Sequence, residues 1–286
     1  MDPCAVNFEE AKAERVSFAP VSPFVKWAGG KRRLLDQYAS YLPSPNQFNR
    51  YFEPFLGGGA VFFYLRPQRA VLADLNAELI NCYKIVKEFP EELIANLRKH
   101  KVNEEYFYRL RETDPATLSE LARASRFIYL NKTCYNGLYR VNSQGQFNVP
   151  YGRYKRPLIC DPIGIHAAST ALQAAQLKVS SFEKTVRQAR RGDFVYFDPP
   201  YVPLTPTASF TSYTPDSFSN RDQERLAELV HQLNARGCLV MVSNSNTTLV
   251  RELYRNYSIK VAQCPRSINS NIFARGAITE LVIKNY

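Results

Sequence analysis

The sequence lacks the cysteine and histidine patterns that hold metal ions. It has six cysteines in 286 residues, none in a C-x-x-C pair, and its three histidines lie far apart. We therefore expect no zinc site, no disulfide framework and no metal cofactor. The cysteines are expected to be mostly small core residues of a protein from a reducing, cytoplasmic compartment.

Long apolar runs are also missing. No stretch reaches the roughly 18 apolar residues that span a bilayer, so we expect no membrane partner. The first residues, MDPCAVNFEEAKAERV, have neither a basic start nor an apolar stretch, and we do not expect a secretory signal. Residues 1–21 are aperiodic and are predicted to form an N-terminal arm. No feature demands a protein partner, so a monomer is expected.

Acidic residues are absent from positions 121–160. Seven lysines and arginines occur there with seven interleaved aromatic residues, in a chain whose formal net charge is +11. A solvated charged face usually mixes both signs, so this stretch favours a nucleic-acid surface, where cations contact phosphates and rings stack on bases.

The strand and helix pattern predicts an α/β protein whose two halves flank an inserted segment. In the first half, a strand, a glycine loop, a helix start and a second strand form a βαβ unit. Helices and then a hairpin with Gly145 in its turn follow in the insertion. The predicted elements are strands Arg50–Phe55 and Ala70–Ala73, helical segments over 77–89 and 91–135, and the hairpin Cys134–Pro157.

The second half returns to alternating helices and strands. Its predicted elements are a helix from about Ala167, strands Leu177–Phe182, 193–197 and Cys238–Val242, a helix capped by Ser219 and Asp222, and a terminal antiparallel hairpin of YSIKVAQ with AITELVIKN.

The glycine loop FLGGG (Phe55–Gly59) lies directly after the first strand. Such a loop lets a ligand approach the backbone, but alone it is a weak signal. Asp74 ends the next strand, where an acid in comparable folds binds ribose hydroxyls, so the ligand is expected to carry a ribose. The loop is neither a strict G-x-G-x-x-G nor a phosphate-binding G-x-x-x-x-G-K-[ST].

The stretch DPPY (Asp198–Tyr201) ends a strand of four aromatic and β-branched residues. Asp198 offers carboxylate acceptors, Pro199 a carbonyl, Pro200 a rigid elbow and Tyr201 a flat ring. Together these groups suit a planar aromatic amine such as adenine N6. Two acceptors can free the lone pair of that nitrogen for direct attack on an activated methyl group. A covalent cytosine mechanism is rejected, because the only Pro-Cys pair lies in the N-terminal arm.

Six segments occur here in the order of a known family: KWAGGK, EPFLGGG, ADLN, NKTCYNGLYRVN, FNVPYGRYK and DPPY. From about Pro23 to its end, the chain resembles the Dam-type DNA adenine-N6 methyltransferases. The resemblance implies a Rossmann-like S-adenosylmethionine-dependent methyltransferase fold with a mixed seven-stranded sheet. Residues 22–84 and 166–286 would form the catalytic domain, and 85–165 an inserted target-recognition domain for double-stranded DNA.

The resemblance also implies roles for individual residues. Asp198 would touch both S-adenosylmethionine and the target amine, and Tyr201 would stack on an adenine flipped out of the duplex. Other cofactor-lining positions are Trp27, Lys31, Phe55, Gly57, Gly59 and Asp74. Trp27 is also the only tryptophan, and its place between two lysines in a glycine loop favours a role in the site.

The DNA contacts that the resemblance implies centre on the hairpin, and GATC is the expected site. Arg140 would read guanine through a bidentate contact, and Lys26 would read the outer guanine. The remaining positions are Leu138 and Pro150 for apolar base contacts, Tyr135 and Asn136 for insertion into the duplex, and Arg153, Tyr154, Arg266, Ser267 and Asn269 for phosphates.

Three alternatives stay open. A non-catalytic DNA-binding relative would be expected to have an altered DPPY or glycine loop. An enzyme acting on cytosine N4 would more often carry Ser in place of Asp198, and an RNA adenine enzyme would not need a groove-entering hairpin. A dinucleotide-dependent oxidoreductase would need a stricter glycine fingerprint.

Overall fold

The structure, a computed structural model, describes residues 21–201, 218–264 and 278–286. Within these ranges seven strands form one sheet: β1 (Tyr51–Glu53), β2 (Ala70–Asp74), β3 (Ala175–Val179), β4 (Phe194–Phe197), β5 (Leu239–Ser245), β6 (Ser258–Cys264) and β7 (Ile278–Lys284). The α-helices in the same ranges are α1 (Leu35–Tyr38), α2 (Ala60–Leu65), α3 (Ala77–Glu88), α4 (Pro90–Leu97), α5 (Glu104–Glu112), α6 (Glu120–Thr133), α7 (Pro162–Leu172), α8 (Phe182–Val186), α9 (Asn220–Ala235) and α10 (Thr248–Leu253).

The strands lie in the order β3-β2-β1-β4-β5-β7-β6. β1 to β5 run parallel, and β7 lies antiparallel between β5 and β6. The predicted mixed seven-stranded sheet is therefore confirmed, as is the terminal antiparallel hairpin. The order of connection reverses between β1 and β4, which is where open α/β sheets bind ligands at the carboxyl ends of their strands.

Helices cover both faces of the sheet, so the strands need no polar alternation. Tyr51 and Phe194 belong to the core that α2, α3 and α7 cover, whereas the next residues, Phe52 and Val195, belong to the core under α8 and α9. Successive strand side chains point to opposite faces, which explains this division. A third, smaller cluster joins α5, α6 and the hairpin through Phe107, Tyr129, Leu130, Cys134 and Val149.

Several predicted boundaries are wrong by a few residues. The strand expected at Leu177–Phe182 is β3, and Phe182 instead begins α8. The helix before it begins at Pro162 rather than near Ala167, because the Asp161 side chain caps it by accepting the Gly164 N–H at 3.0 Å. β5 continues past its predicted end through Ser245, since its polar residues pair with β7. The capping box of Ser219 and Asp222 is confirmed.

The predicted hairpin, Cys134–Pro157, is only partly regular. Its arms meet at two isolated antiparallel bridges, Cys134 with Tyr151 and Val141 with Phe147. Gly145 turns the tip with φ +76°. Pro150 has no N–H to donate, and this limits the ladder between the arms. Residues 1–20 of the predicted arm lie outside the described ranges, as do Arg266, Ser267 and Asn269. No helix in the described part of the chain has the length and apolar character to cross a bilayer.

Candidate active site

Asp198 lies at the carboxyl end of β4. Its Oδ1 forms a 2.7 Å salt bridge with Lys31 Nζ and accepts a 2.7 Å hydrogen bond from Ser243 Oγ. The Asp198 side chain is 19% exposed and that of Lys31 is 2% exposed. Burial raises the pKa of Asp198, while Lys31 and Ser243 oppose that rise. No hydrogen bond from the described residues reaches Oδ2.

Lys31 comes from the KWAGGK loop and begins a 3-10 helix, Lys31–Leu34. A buried ammonium group is stable only with partners. Lys31 Nζ donates to Gly29 O at 2.8 Å and lies 3.7 Å from Glu280 Oε2, in addition to its contact with Asp198. The loop expected to line the cofactor is therefore joined directly to the expected catalytic acid.

Glu280 of β7 gathers three groups around one carboxylate oxygen, and the sequence did not indicate it. Its Oε2 accepts hydrogen bonds from Tyr201 OH at 2.8 Å and from Tyr38 OH at 3.1 Å. The Lys31 ammonium also lies 4.8 Å from the centre of the Tyr201 ring. Burial, and then the charge of Asp198, raise the pKa of Tyr201 well above its ordinary value, so its phenol remains a donor. Glu280 thus holds the Tyr201 ring and the Lys31 charge in place.

The two prolines after Asp198 present their carbonyls differently. The carbonyl of Pro200 accepts from Gln223 Nε2 at 3.2 Å, and Gln223 Oε1 accepts from Asn244 Nδ2 at 2.9 Å. The carbonyl of Pro199 accepts no hydrogen bond from the described residues. Asp198 Oδ2 and the Pro199 carbonyl are therefore two acceptors on neighbouring residues that no described residue donates to.

Asp74 ends β2 and holds the glycine loop. Its Oδ2 accepts the Gly57 N–H at 3.0 Å, and its Oδ1 accepts the Asn76 N–H at 3.0 Å. Burial raises the pKa of Asp74, and these backbone hydrogen bonds oppose the rise. Each carboxylate oxygen keeps a further lone pair, so Asp74 can also accept from a ligand hydroxyl. Gly59, with φ +65°, precedes α2.

Trp27 connects the glycine loop to the hairpin. Gly57 has φ +46°, and a Cβ there would lie 2.7 Å from Cδ1 of Trp27, so a larger residue does not fit. On its other side Trp27 stacks on Tyr139 of the hairpin, with ring centres 5.7 Å apart. Phe55 stacks on Phe182 at 5.5 Å and is half-buried. The expected cofactor residues thus meet at the ends of β1, β2 and β4.

A further buried acid, Glu53, ends β1 between the strands of Asp74 and Asp198. It is 2% exposed and accepts a 2.9 Å hydrogen bond from Tyr51 OH. Burial raises the pKa of Glu53 well above its ordinary range. We refer to the strand ends that carry Asp74, Glu53, Asp198 and Glu280 as the carboxyl edge of the sheet.

Arg140 lies on the exposed side of the hairpin. Its Nε donates to Asn148 Oδ1 at 2.8 Å and its Nη2 to Asn148 O at 3.3 Å, so the opposite arm orients the guanidinium group. The other predicted hairpin contacts divide by exposure: Tyr135, Asn136 and Pro150 are exposed, and Leu138 and Tyr154 are half-buried. Arg153 is 78% exposed and lies 3.4 Å from Glu104.

Asn131 of α6 ties Lys26 to the hairpin. The Lys26 N–H donates to Asn131 Oδ1 at 2.7 Å, and Asn131 Nδ2 donates to the Lys26 carbonyl at 2.8 Å and the Gly137 carbonyl at 3.1 Å. The Lys26 ammonium lies 4.5 Å from the centre of the Tyr154 ring. The predicted base-reading lysine is therefore held against the predicted DNA-contacting segment.

Some cations in residues 121–160 bind other parts of the protein and not the predicted nucleic-acid surface. Arg123 forms an ion pair with Glu78. Arg126 is 6% exposed and donates to the carbonyls of Leu110 and Arg111 at 2.8 and 2.6 Å. Both cations hold α6 against its neighbours, and the expectation that this stretch faces nucleic acid is wrong for the buried Arg126.

Sequence reasoning missed Ser243, Glu280, Glu53 and Asn131. Each is a polar residue that the structure buries. A buried polar group needs a hydrogen-bond partner, but its place in the sequence does not identify that partner. The described residues contain no group of three or more His, Cys, Asp or Glu side chains that could hold a metal ion.

Comparison with known proteins agrees with this geometry. The sequence profile described as "D12 class N6 adenine-specific DNA methyltransferase" matches residues 27–268. The chain is 48% identical over 272 residues to "Type II methyltransferase M1.LlaDCHI" of Lactococcus lactis subsp. cremoris, covering 92% of this chain and 95% of that protein. It is 41% identical over 287 residues to "Type II methyltransferase M.MjaIII" of Methanocaldococcus jannaschii, with coverage of 93% and 99%. Identity to the "DNA adenine methylase" of Escherichia coli K12 is 40% over 263 residues, with coverage of 91% and 93%.

Proposed function

The chain belongs to the D12 class of N6 adenine-specific DNA methyltransferases, and from this premise we propose how its residues divide the work of methylating adenine N6. The proposal depends chiefly on one observation. At the end of β4, Asp198 Oδ2 and the Pro199 carbonyl accept no hydrogen bond from the described residues, although Lys31 and Ser243 firmly hold the other Asp198 oxygen.

The two open acceptors match the two hydrogens of an exocyclic amine. The adenine N6 lone pair is conjugated with the ring, so the free amine is a poor nucleophile. Hydrogen bonds to both N–H groups favour a tetrahedral nitrogen and expose its lone pair, and in a preorganised site this costs no reorganisation during reaction. When N6 takes the methyl group, the bond between that carbon and its sulfur breaks and the electron pair stays on the sulfur, while Asp198 Oδ2 would accept the proton that N6 gives up. A pKa raised by burial suits that role.

Tyr201 would stack on the extruded adenine. One face of its ring is near the Lys31 ammonium, so the base would take the other face. The hydrogen bond from its phenol to Glu280 fixes the plane of the ring. Rigid support of this kind reduces the cost of orienting the base.

S-Adenosylmethionine supplies a methyl group activated by its sulfonium centre. The residues around the carboxyl edge fit this cofactor: Asp74 has lone pairs for ribose hydroxyls, the half-buried rings of Phe55 and Trp27 would line its site, and the Gly57 and Gly59 backbone permits close approach. Lys31 would act mainly through Asp198, because its ammonium group is already paired there.

We propose GATC as the recognition site and the hairpin as its reader. The contact between Arg140 and Asn148 presets the guanidinium plane, which suits a bidentate contact to guanine. Arg153 is almost fully exposed and is better placed to contact phosphate. Lys26, Leu138, Tyr135, Asn136, Pro150 and Tyr154 would complete the interface, with Arg266, Ser267 and Asn269 predicted from sequence alone.

The direct test is to incubate the protein with labelled S-adenosylmethionine and a panel of duplexes, and to map the methylated atom. We expect N6-methyladenine within GATC and slower methylation of each singly substituted site. Methylation of cytosine N4, or of RNA in preference to duplex DNA, would contradict the assignment.

A paired substitution tests the reader. Arg140→Ala should cost roughly 1–3 kcal/mol of discrimination at one base pair. Arg153→Ala should weaken binding to all duplexes alike, because a phosphate contact carries no sequence information. Equal slowing of every sequence by Arg140→Ala would show that the hairpin is not the reader.

A further inference from the structure

The amino ends of four adjacent parallel strands form a straight row. Tyr51 of β1 is in register with Ala70 of β2 and Phe194 of β4, and Phe194 is in register with Leu239 of β5. The residues one step before this row are Arg69, Arg50 and Asp193, whose carbonyls accept the N–H groups of Tyr51, Phe194 and Leu239 at 2.8–2.9 Å. Two arginines therefore lie side by side at this end of the sheet.

The turns before β4 and β5 place more arginines at this end of the sheet. The two turns are bonded together, since Gly192 N–H donates to the Gly237 carbonyl at 3.0 Å. The side chain of Arg191 lies against Gly237, next to Arg236. Residues Arg187 to Arg190 line an open pocket of about 480 Å³. We define the amino edge as Arg50, Arg69, Arg187, Arg190, Arg191 and Arg236.

The amino edge holds one acid for these cations. Asp193 is 2% exposed and pairs with Arg50 at 2.7 Å. The other five arginines are exposed, and none forms a salt bridge with a described residue. Elsewhere exposed or half-exposed arginines such as Arg123 and Arg225 do pair with acids.

The ends of two helices explain only two of the five exposed arginines. Arg187 follows α8 and Arg236 follows α9, where a cation interacts favourably with the carbonyls of a helix end. Arg69, Arg190 and Arg191 lie just before strands and gain nothing from a helix. Five exposed like charges at one end of the sheet repel one another, and a polyanion would relieve that repulsion.

We propose that the amino edge binds the phosphate backbone of a second DNA segment. Guanidinium groups bind phosphates bidentately, and five of them at one end of the sheet suit a repeating polyanion better than a single small anion. The inference rests on the proposed function for the choice of DNA. The reacting duplex meets the opposite ends of the same strands, so the phosphates bound here belong to another segment.

The test measures whether one protein holds two duplexes. A biotinylated duplex with the recognition site is immobilised and loaded with the full chain, and a fluorescent second duplex without the site is added. We expect capture of the second duplex, with a log–log salt slope of about −4 to −5 for five phosphate contacts. Capture should fall at least roughly tenfold when Arg187, Arg190, Arg191 and Arg236 are all replaced by Gln.

A charge-matched control keeps the result specific. Replacing the exposed Lys84, Lys178, Arg221 and Arg255 by Gln removes the same charge elsewhere and should preserve capture. Undiminished capture by the amino-edge variant, or equal loss in the control, overturns the proposal, as does release of the second duplex by RNA at lower concentration than by DNA. Single-turnover methylation of one duplex should be unchanged in both variants. A wild-type protein that captures two duplexes without methylating either would contradict the proposed function alone.

Discussion

The carboxyl edge of the sheet carries buried, hydrogen-bonded acids, whereas the amino edge carries exposed arginines. At the carboxyl edge, Glu53 and Glu280 are buried and bonded to tyrosines, and Asp198 is bonded to Lys31. At the amino edge, five arginines are exposed without a described acidic partner. A buried polar group is held in one geometry, as catalysis requires, whereas exposed charges keep the side-chain mobility that suits sequence-independent contact with phosphates.

β4 carries an acid at both ends, and substituting each in turn tests this contrast most sharply. Asp198→Asn keeps an oxygen for Lys31 but puts an N–H group where Oδ2 accepted. Turnover should fall by roughly 10²–10³-fold or more, because a preorganised transition-state contact is lost. Single-turnover methyl transfer and urea unfolding are the measurements, and the variant should remain folded.

Asp193→Asn, at the amino end of β4, should lower stability and leave turnover unchanged. It leaves Arg50 without its carboxylate, which should lower the free energy of unfolding by about 2 kcal/mol, less than for a fully buried pair because Arg50 is 29% exposed. Turnover of the folded fraction should be unchanged. If both variants lose turnover equally, the division between the two edges is wrong.

Asp74→Ala tests cofactor binding at the carboxyl edge. Loss of a carboxylate that accepts hydrogen bonds should weaken S-adenosylmethionine binding roughly 10- to 100-fold. Calorimetry measures this, and duplex binding without cofactor should be unaffected. The exposed Asp36→Ala is the control, and unchanged cofactor affinity in Asp74→Ala would refute the assignment.

Glu280→Gln tests whether a residue outside DPPY positions it. We expect kcat to fall by roughly tenfold with little change in KM for DNA, since one charged hydrogen-bond partner is lost. Burial is the main cause of the raised pKa of Asp198 and the charge of Glu280 adds to it, so removal of that charge should move the acid limb of the kcat profile to lower pH. Glu252→Gln, at an exposed site, should change neither quantity. An unmoved acid limb would indicate a purely structural role.

The smallest expected effect is the pH dependence of stability at Glu53. Burial raises the folded pKa of Glu53, so the folded state keeps a proton that the unfolded state has released. The contribution of Glu53 to the free energy of unfolding therefore falls as pH rises above its unfolded pKa of about 4.3. Glu53→Gln has no such group, so its unfolding free energy relative to wild type should rise between pH 5 and 8. The exposed Glu88→Gln should show no trend, and a falling difference for Glu53→Gln would contradict the sign.

The sequence by itself determined the elements whose signals are local. Asp198 and Asp74 were identifiable because each acid directly follows a run of strand residues, and Ser219 with Asp222 because a capping box spans only four positions. The order of KWAGGK, the glycine loop and DPPY is likewise read directly from the sequence. Each of these signals needs no knowledge of which strands are neighbours.

Only the tertiary structure decided which distant residues meet. Tyr201 and Glu280 are 79 positions apart and form a 2.8 Å hydrogen bond because β7 inserts beside β5. Lys31 reaches Asp198 from a loop that precedes the first strand, and Arg126 turns inward to the carbonyls of α5. The amino edge gathers arginines from four separate segments through the register of parallel strands. Strand order and register depend on how both faces of the sheet bury their apolar side chains together, and no local pattern encodes that choice.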